Sequence, residues 1–531
     1  MGPASAGTIG ARAYHAATRH SPESVRSGGH FLDWAIKPFP FKLYPDAPAT
    51  ALPRELPGPA LPALEALGRG ADGGGGGPLA LETLAQLLFF SAGLTKKKSY
   101  PGGPTVHFRA SASTGALYEV EVYVVAGWVT GLDPGLYHFC PGDFTLRRLR
   151  AGDWRAALAA AAGGPQAVAG APATITLSAI YWRNTWKYQA RAFRHFFWDS
   201  GTLLANLLAT AAAAEVPARI QLGFADDAVN HLLGLDVERE AALALVTLGR
   251  DAPAPPPAPP LEPLTLATVP LSTHEVDYPL VAQAYAASSL SSAADAAAWA
   301  ATGAERKAPE PPGEPVSHPL APLPEPPAAS LGQVILRRGS TRQFAREPIA
   351  FAQLSTILEA AVRPLPLDVT DPGGRLVECY LLAHAVDGLP SGAHVYDAAH
   401  HGLRQLRAGE FRSEGGYLCL EQPIGADASA VVFFLADLDA ALDRYGDRGY
   451  RAVNLVAGLL GGRMYLAAYA LGLGASGLTF YDADVVRFFS PDAQGKDAIF
   501  VTALGRARRP AGARGLAPAD GELRPLRPGE T

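Results

Sequence analysis

Arg147-Arg148-Leu149-Arg150-Ala151-Gly152-Asp153-Trp154-Arg155 returns 257 residues later as Arg404-Gln405-Leu406-Arg407-Ala408-Gly409-Glu410-Phe411-Arg412. The same offset carries Glu121 and Tyr123 onto Glu378 and Tyr380, Gly131-Leu132 onto Gly388-Leu389, and Gly135 onto Gly392. Further along it carries Tyr188, Arg191, Arg194 and Gly201 onto Tyr445, Arg448, Arg451 and Gly458. One offset held without net insertion from Glu121 to Gly201 is the mark of a duplication, and its period is far too long for a solenoid. The chain therefore reads as two copies of one domain, residues 79–250 and 331–510. An N-terminal extension (1–78) precedes them, a Pro/Ala-rich linker (251–330) joins them, and a tail (511–531) follows.

Each copy repeats the same coarse order. A helix (Leu79–Phe90; Ile349–Ala361) leads to a strand (Glu119–Ala126; Leu376–His384), a Gly turn and a short strand. A second strand (Ala173–Tyr181; Ala430–Leu435) and a long apolar helix (Arg191–Ala214; Tyr450–Leu471) come next. Each copy closes on a strand ending in Leu-Gly-Arg, at Arg250 and at Arg506. With few βαβ units, this order predicts an α+β fold rather than a doubly wound sheet. The linker is Pro-rich at both ends, but Tyr278–Ala301 is Ala-rich enough for a helix.

Composition bounds the function. The 531 residues suit several folded units, and 48% hydrophobic content is ample for their cores. A net charge of −5 supplies no global basic field for nucleic acid or an anionic membrane. The 56 glycines and 47 prolines fit linkers and loops better than a wholly disordered chain. Three cysteines (Cys140, Cys379, Cys419) share no metal or redox spacing, so no metal site is expected. The first residues lack the apolar core of a signal peptide, and no apolar stretch is long enough to span a bilayer. A soluble, cytoplasmic protein is the expectation.

Features found in one copy only are less apt to be fold requirements. Copy two alone opens with Arg337-Arg338-Gly339-Ser340-Thr341-Arg342, three guanidiniums and two hydroxyls that suit a phosphate; a solvated basic turn is the plainer alternative. Copy one has nothing equivalent before its first helix. Copy two alone also carries Gly472, Gly474, Ser476 and Gly477 in a GxGxxG spacing. That motif follows a helical pattern instead of a strand, the wrong context for a dinucleotide site; bare backbone there could approach a flat ring. Copy one has its own hydroxyl-rich stretch, Arg109 to Ala116 with Ser111 and Ser113; the matching part of copy two is Asp371-Pro372-Gly373-Gly374. The copies look complementary, able to form one site between them. Copy one also has Lys187-Tyr188, where a cation beside a phenol would lower its pKa and make it a base. Arg444-Tyr445 in register leaves open that the pair belongs to the fold. Lys96–Lys98 reads as a solvated turn, His195 as a packed helix residue, and His400-His401 as a surface turn.

At these residues the sequence resembles the nitroreductase superfamily of FMN enzymes, and more closely its SagB-type branch of peptide azoline dehydrogenases. Arg109–Ala116 with Glu119-Val120-Glu121-Val122-Tyr123, Gly131–Tyr137, and Lys187-Tyr188 with Arg191, Arg194, Asp199 and Gly201 carry the similarity in order. His20–Ser24, Asp33-Trp34 and Pro40–Pro45 are similar to the family's lead-in. The resemblance implies an α+β pseudo-dimer fused into one polypeptide, antiparallel sheets flanked by helices, with FMN between the copies. The phosphate would meet Arg338, Ser340, Arg342 and Arg506 or Arg508, and Ser111 and Ser113 would reach over the same flavin. Lys187 and Tyr188 would remove a proton while hydride leaves. The implied substrate is a thiazoline or oxazoline in a modified peptide, with other azole-forming enzymes as partners and the chain a monomer or a higher oligomer. Two further readings stay open: an NAD(P)H-dependent nitro or enone reductase, and a flavin-free scaffold or peptide-binding subunit.

Overall fold

A computed structural model describes residues 9–69, 76–98, 105–302, 316–369 and 376–509. The tail and the Asp371–Gly374 counterpart of the serine stretch lie outside these residues.

Runs rich in Val, Ile, Leu and Phe, such as Val120–Ala126 and Ala430–Ala436, form central strands buried along their whole length. Copy one has β1 (Ala49–Ala51), β2 (Val120–Ala126), β3 (Gly135–Cys140), β4 (Thr145–Ala151), β5 (Ala173–Ile180), β6 (Ala218–Gln221) and β7 (Glu240–Leu248). They lie in the order β1-β4-β3-β2-β5-β7-β6. Copy two has β8 (His318–Pro319), β9 (Glu378–Ala383), β10 (Gly392–Asp397), β11 (Gly402–Ala408), β12 (Ala430–Ala436), β13 (Gly474–Gly477) and β14 (Asp497–Gly505). Their order, β8-β11-β10-β9-β12-β14-β13, is the same topology. Every neighbouring pair in both sheets is antiparallel. Even a bulge recurs at the equivalent position of the repeat, after Leu136 in β3 and after Ala393 in β10. The expected α+β duplication is the observed fold.

The helices repeat as well. Copy one has α1 (Ala11–Ala17), α2 (Ala63–Gly68), α3 (Leu81–Ala92), α4 (Tyr181–Tyr188), α5 (Ala192–Ala213) and α6 (Asp226–Leu233). Copy two has α7 (Pro279–Ala287), α8 (Leu331–Arg337), α9 (Phe351–Val362), α10 (Leu438–Tyr445), α11 (Arg448–Ala470) and α12 (Asp482–Phe489). The long helices α5 and α11 cross at the centre of the molecule. At the crossing the repeat-equivalent glycines meet. A Cβ on Gly201 would lie 2.4 Å from Leu455 O, and one on Gly458 would lie 2.3 Å from Trp198 O. Only bare backbone lets the axes approach so closely, so the two copies share one continuous core.

Two reciprocal clamps lock the copies together. Arg191 and Arg194 of α5 hold Asp482 at the start of α12, with Arg194 Nη1 donating to Asp482 Oδ1 at 2.7 Å. Arg448 and Arg451 of α11 hold Asp226 at the start of α6, with Arg451 Nη1 donating to Asp226 Oδ1 at 2.7 Å. Each clamp is closed by an arm. Arg194 also donates to His15 O and Thr18 Oγ1, and Arg451 to Tyr285 O and Ser288 Oγ. His20 N donates to Asp482, and Leu290 N donates to Asp226. The extension around α1 and the linker around α7 are therefore equivalent parts of the repeat, with Thr18 matching Ser288. Their offset of 270 residues, against 257 within the copies, conceals this from a fixed-offset reading. The linker carries helices at Pro279–Ala287 and Ala293–Ala301, within the Ala-rich stretch. One expectation is corrected: Lys96–Lys98 is no turn but part of a strand, Leu94–Lys98, paired with Val106–Arg109. Among the described residues no helix is long and apolar enough to cross a membrane.

Candidate active site

The segment after α8 lies across the boundary between copies. Arg338 is buried and donates from Nε to Ala110 O at 3.0 Å and from Nη2 to Arg109 O at 3.3 Å, so copy two's basic segment rests on copy one's serine stretch. Ser340 pairs with Ala475 at the edge of β13, and its hydroxyl meets Tyr465 Oη at 3.1 Å. Ala345 N donates to Arg506 O and Arg508 N to Gln343 O, which brings the closing arginines alongside. Arg506 Nε donates to Pro348 O at 3.1 Å. Arg342 is exposed, and its charge acts on both Lys187 and Tyr188 of copy one. Thr341 Oγ1 is buried without a hydrogen-bond partner.

Lys187 and Tyr188 end α4. Lys187 Nζ lies 5.3 Å from the Tyr188 ring centroid. Burial lowers the Lys187 pKa, and Arg342 and Lys37 lower it further by like-charge repulsion. Lys37 comes from the extension, which also packs Trp34 edge-on against Trp186 at 5.2 Å and leaves Phe31 89% exposed. Behind Tyr188 lies a buried polar cluster. Asp199 on α5 accepts from Ser113 Oγ (2.6 Å), Thr114 N (2.7 Å) and Thr114 Oγ1 (2.7 Å). Glu119 is wholly buried, with Asp199 and Asn184 beside its carboxyl group. Burial and the neighbouring Asp199 charge push the Glu119 pKa well up, and burial raises that of Asp199, so the pair holds a proton that water would have removed. His195 Nδ1 lies 2.8 Å from Asn184 Oδ1 and its ring stands edge-on to Tyr188 at 4.5 Å. Burial first, then Arg191, keep it neutral.

The family model for the nitroreductase family matches residues 78–250 and again residues 335–505. The chain belongs to the nitroreductase family. Both matches fall on the duplicated domains, so this family member carries two nitroreductase domains in tandem. The crystal structure of a provisionally named nitroreductase from Anabaena variabilis ATCC 29413 is similar with a TM-score of 0.74 and 29% identity, over 94% of this chain and 100% of that one. A provisionally named nitroreductase of Methanocaldococcus jannaschii is 29% identical over 174 residues, 31% of this chain and 85% of its own length. The E. coli microcin synthetase McbBCD complex with truncated pro-MccB17 bound matches 33% of this chain and 64% of that chain at 21% identity and a TM-score of 0.29, too slight a likeness to bear on substrate.

Several sequence expectations for this family member change at atomic scale. Arg109 is spent inside the protein: it donates to Val120 O (3.1 Å) and Pro40 O (2.9 Å), fully buried, and is not free for a cofactor. Ser113 is turned onto Asp199; Ser111 is buried nearby. The expected glycine platform is partly filled by the chain itself, since a Cβ on Gly474 would lie 2.2 Å from Thr341 Oγ1 and one on Gly477 3.2 Å from Phe500. Ser476 is buried in β13, and Gly472 faces open space. Lys187 does not lower the Tyr188 phenol: burial raises it, Asp199 and Glu119 add to the rise, and only Arg342 opposes. Arg69 stands at the C-cap of α2 as Arg338 does at that of α8, and the residues that follow Arg69 lie outside the described ones. Arg191 and Arg194, part of the family-like motif, are structural clamps. Sequence reasoning does not reach Glu119 and Asn184. Glu119 stands beside the Glu121-x-Tyr123 repeat, but nothing in the linear order places it against Asp199. His195 is packed within α5 as expected, and His400 and His401 lie exposed in a turn.

Proposed function

We propose that the chain is an FMN-dependent oxidoreductase with one flavin between its copies, in the cleft framed by Arg338–Arg342, Arg506–Arg508, Ser111 and Lys187-Tyr188. The observation that carries this reading is the crossing of the copy boundary by complementary one-copy features: copy two's arginine segment reaches copy one's serine stretch and Lys-Tyr pair. The residues fit an anionic, flat group. Arg342 and Arg508 are exposed with no carboxylate partner among the described residues, and Thr341 holds an orphaned hydroxyl beside them. Arg342, Arg506, Arg508 and Ser340 would hold the phosphate end. A flavin bound there supplies a two-electron acceptor for hydride.

The reaction we favour is oxidation of a thiazoline or oxazoline ring to the azole, which removes one hydride and one proton from the ring. Lys187 Nζ takes the proton. Its lowered pKa leaves more of the neutral amine available than an ordinary lysine would. Tyr188 keeps its own proton at neutral pH and serves as a hydrogen-bond donor at Oη. Exposed Phe31 and Trp34 offer aromatic surface on the Lys187 side to a peptide carrying the ring. Cytoplasmic azole-forming enzymes would be its partners; the three cysteines are buried, and none is in a disulfide.

Reconstitution with FMN tests the cofactor: the expected result is absorbance at about 450 nm at one flavin per chain, lost on Arg342→Ala/Arg508→Ala. No flavin absorbance after reconstitution overturns the reading. Anaerobic bleaching by an azoline peptide but not by NAD(P)H supports the dehydrogenase; rapid bleaching by NAD(P)H alone replaces it with the reductase.

A further inference from the structure

Four polar side chains lie behind Tyr188 in copy one, and the repeat has none of them in copy two. Glu119, Asn184, His195 and Asp199 are all buried. The 257-residue offset carries them onto Leu376, Ala441, Ala452 and Val456, while Tyr188 stays a tyrosine, Tyr445. The offset holds at these places, since it lays α4 on α10 end to end and brings the crossing glycines of α5 and α11 into register. Burying two carboxyl groups, an amide and an imidazole costs stability that leucine, alanine and valine do not. Copy two folds without them, so the fold does not account for them. The tyrosines are used differently as well. Tyr445 is turned into the core, where its Oη donates to Val369 O at 3.2 Å and its own carbonyl accepts from Trp299 Nε1 at 2.8 Å.

Two walls stand against Tyr188, and both rest on this cluster. One is the turn from Ser113 to Tyr118. Its Gly115, Ala116 and Tyr118 have φ of +64°, +55° and +54°, the left-handed region that costs a non-glycine residue about 1–2 kcal/mol. Asp199 holds the first half of the turn through Ser113 Oγ, Thr114 N and Thr114 Oγ1, and Arg183 Nη1 donates to Tyr118 O at 3.2 Å. A Cβ on Gly115 would lie 2.8 Å from Tyr188 Oη, so bare backbone sits against the phenol at its polar atom. The other wall is the His195 ring, edge-on to Tyr188 at 4.5 Å, with its Nδ1 2.8 Å from Asn184 Oδ1. Asn184 lies beside the Glu119 carboxyl group, which in turn adjoins Asp199. The strained turn and the imidazole therefore share one carboxyl pair as their anchor. Backbone strain persists where its surroundings over-determine it, and it gathers at sites that must hold a geometry.

We propose that Asp199, backed by Glu119, is a positioning residue that fixes where the Tyr188 phenol presents its Oη, through the Gly115 turn on one side and Asn184 with His195 on the other. This rests on the reading of Tyr188 as a hydrogen-bond donor in the proposed site. The first test uses the full chain without cofactor, labelled with 3-fluorotyrosine; the Tyr188 fluorine resonance is the one lost in Tyr188→Phe. Glu119→Leu/Asp199→Val installs the copy-two side chains. Gly115→Ala pushes a methyl group at the phenol and leaves both carboxyl groups in place, so it gives the answer where the double variant fails to fold. Each variant should move the Tyr188 resonance and leave most other tyrosine lines where they are. In the FMN-loaded chain each should lower kcat for an azoline peptide by roughly 10–100-fold, with KM within about twofold. Neither should lower kcat further in a Tyr188→Phe background, whereas a merely structural role would lower it alike in both backgrounds. A resonance unmoved in both variants, or equal losses of kcat in the two backgrounds, overturns the proposal. A chain that takes up no FMN or leaves the azoline unchanged overturns the dehydrogenase reading instead, and the fluorine spectrum then decides alone whether the cluster holds the phenol.

Discussion

Lys187 has Arg342 and Lys37 as its charged neighbours, whereas Tyr188, one residue on, faces Asp199 and Glu119. The first environment favours the neutral amine and the second the neutral phenol, so of the two it is Lys187 that the proposed reaction uses as its base. In the dehydrogenase reading, kcat/KM should rise with pH along a limb lying below the ordinary lysine value of 10.5, because the amine must lose its proton to act. Lys187→Arg should abolish the limb and lower kcat/KM by roughly 10²–10⁴-fold. Tyr188→Phe should keep the limb at a lower rate; a limb that moves with Tyr188→Phe would make the phenol the base after all. Glu119 gives a stability test of the same cluster. A carboxyl held protonated in the fold but ionised in the unfolded chain binds more protons when folded, so stability falls as pH rises above its usual 4.5. Glu119→Gln should flatten that fall and raise Tm at pH ~8 by about 1–2 °C relative to wild type, with less effect at pH ~5. A Tm lowered equally at both pH values would mean the carboxyl is ionised. The Lys-Tyr pair was legible because its members are adjacent in sequence. The sign of the tyrosine's shift was not, because the carboxylates that set it arrive from β2's approach and from α5.

At the scale of elements, the α5–α11 crossing and the β13 turn show two different uses of glycine. Gly458→Ala places a Cβ within 2.3 Å of the Trp198 carbonyl oxygen, backbone against backbone, with no side chain able to yield. The helices must separate, and the expected cost is about 2–4 kcal/mol in urea unfolding. Gly472 has a φ of +72° and nothing within 4 Å of where a Cβ would stand, so Gly472→Ala carries only the conformational penalty of about 1 kcal/mol. Equal losses at the two positions would show that the crossing relaxes easily. The apolar runs that become β2, β5, β9 and β12 and the two long helices were legible from their patterns, and so was the pairing of Gly201 with Gly458 as equivalents. That they touch each other was not, since a repeat gives correspondence and not contact. The strand Leu94–Lys98 was hidden for a related reason: three consecutive lysines look solvated, but this strand's partner, Val106–Arg109, supplies the hydrogen bonds that composition cannot show.

The whole molecule is held by a two-fold logic that includes its arms. Asp482 binds Arg191 and Arg194 of the other copy and the α1 arm; Asp226 binds Arg448 and Arg451 and the α7 arm. Both carboxylates are held below the usual aspartate range: burial opposes the ionised form, but the paired guanidiniums outweigh it. A depressed folded pKa means the stabilisation is present above the unfolded value of about 3.8 and is lost as pH falls toward and through the folded value, so both clamps should contribute to acid unfolding. Asp482→Asn and Asp226→Asn each leave two buried guanidiniums without their counter-charge, and each should cost about 3–5 kcal/mol at pH ~7 and give a shallower acid limb. The clamps share no partner, so the double variant should lose close to the sum. The arms tell the two apart. Asp482→Asn should loosen the N-terminal arm enough for trypsin to cut at Arg12 and Arg19, whereas Asp226→Asn should loosen the linker arm enough for chymotrypsin to cut at Tyr278 and Tyr285. Cleavage of the same arm in both variants would mean that the halves open as one unit, and that the clamps serve the shared core more than the arms they fasten.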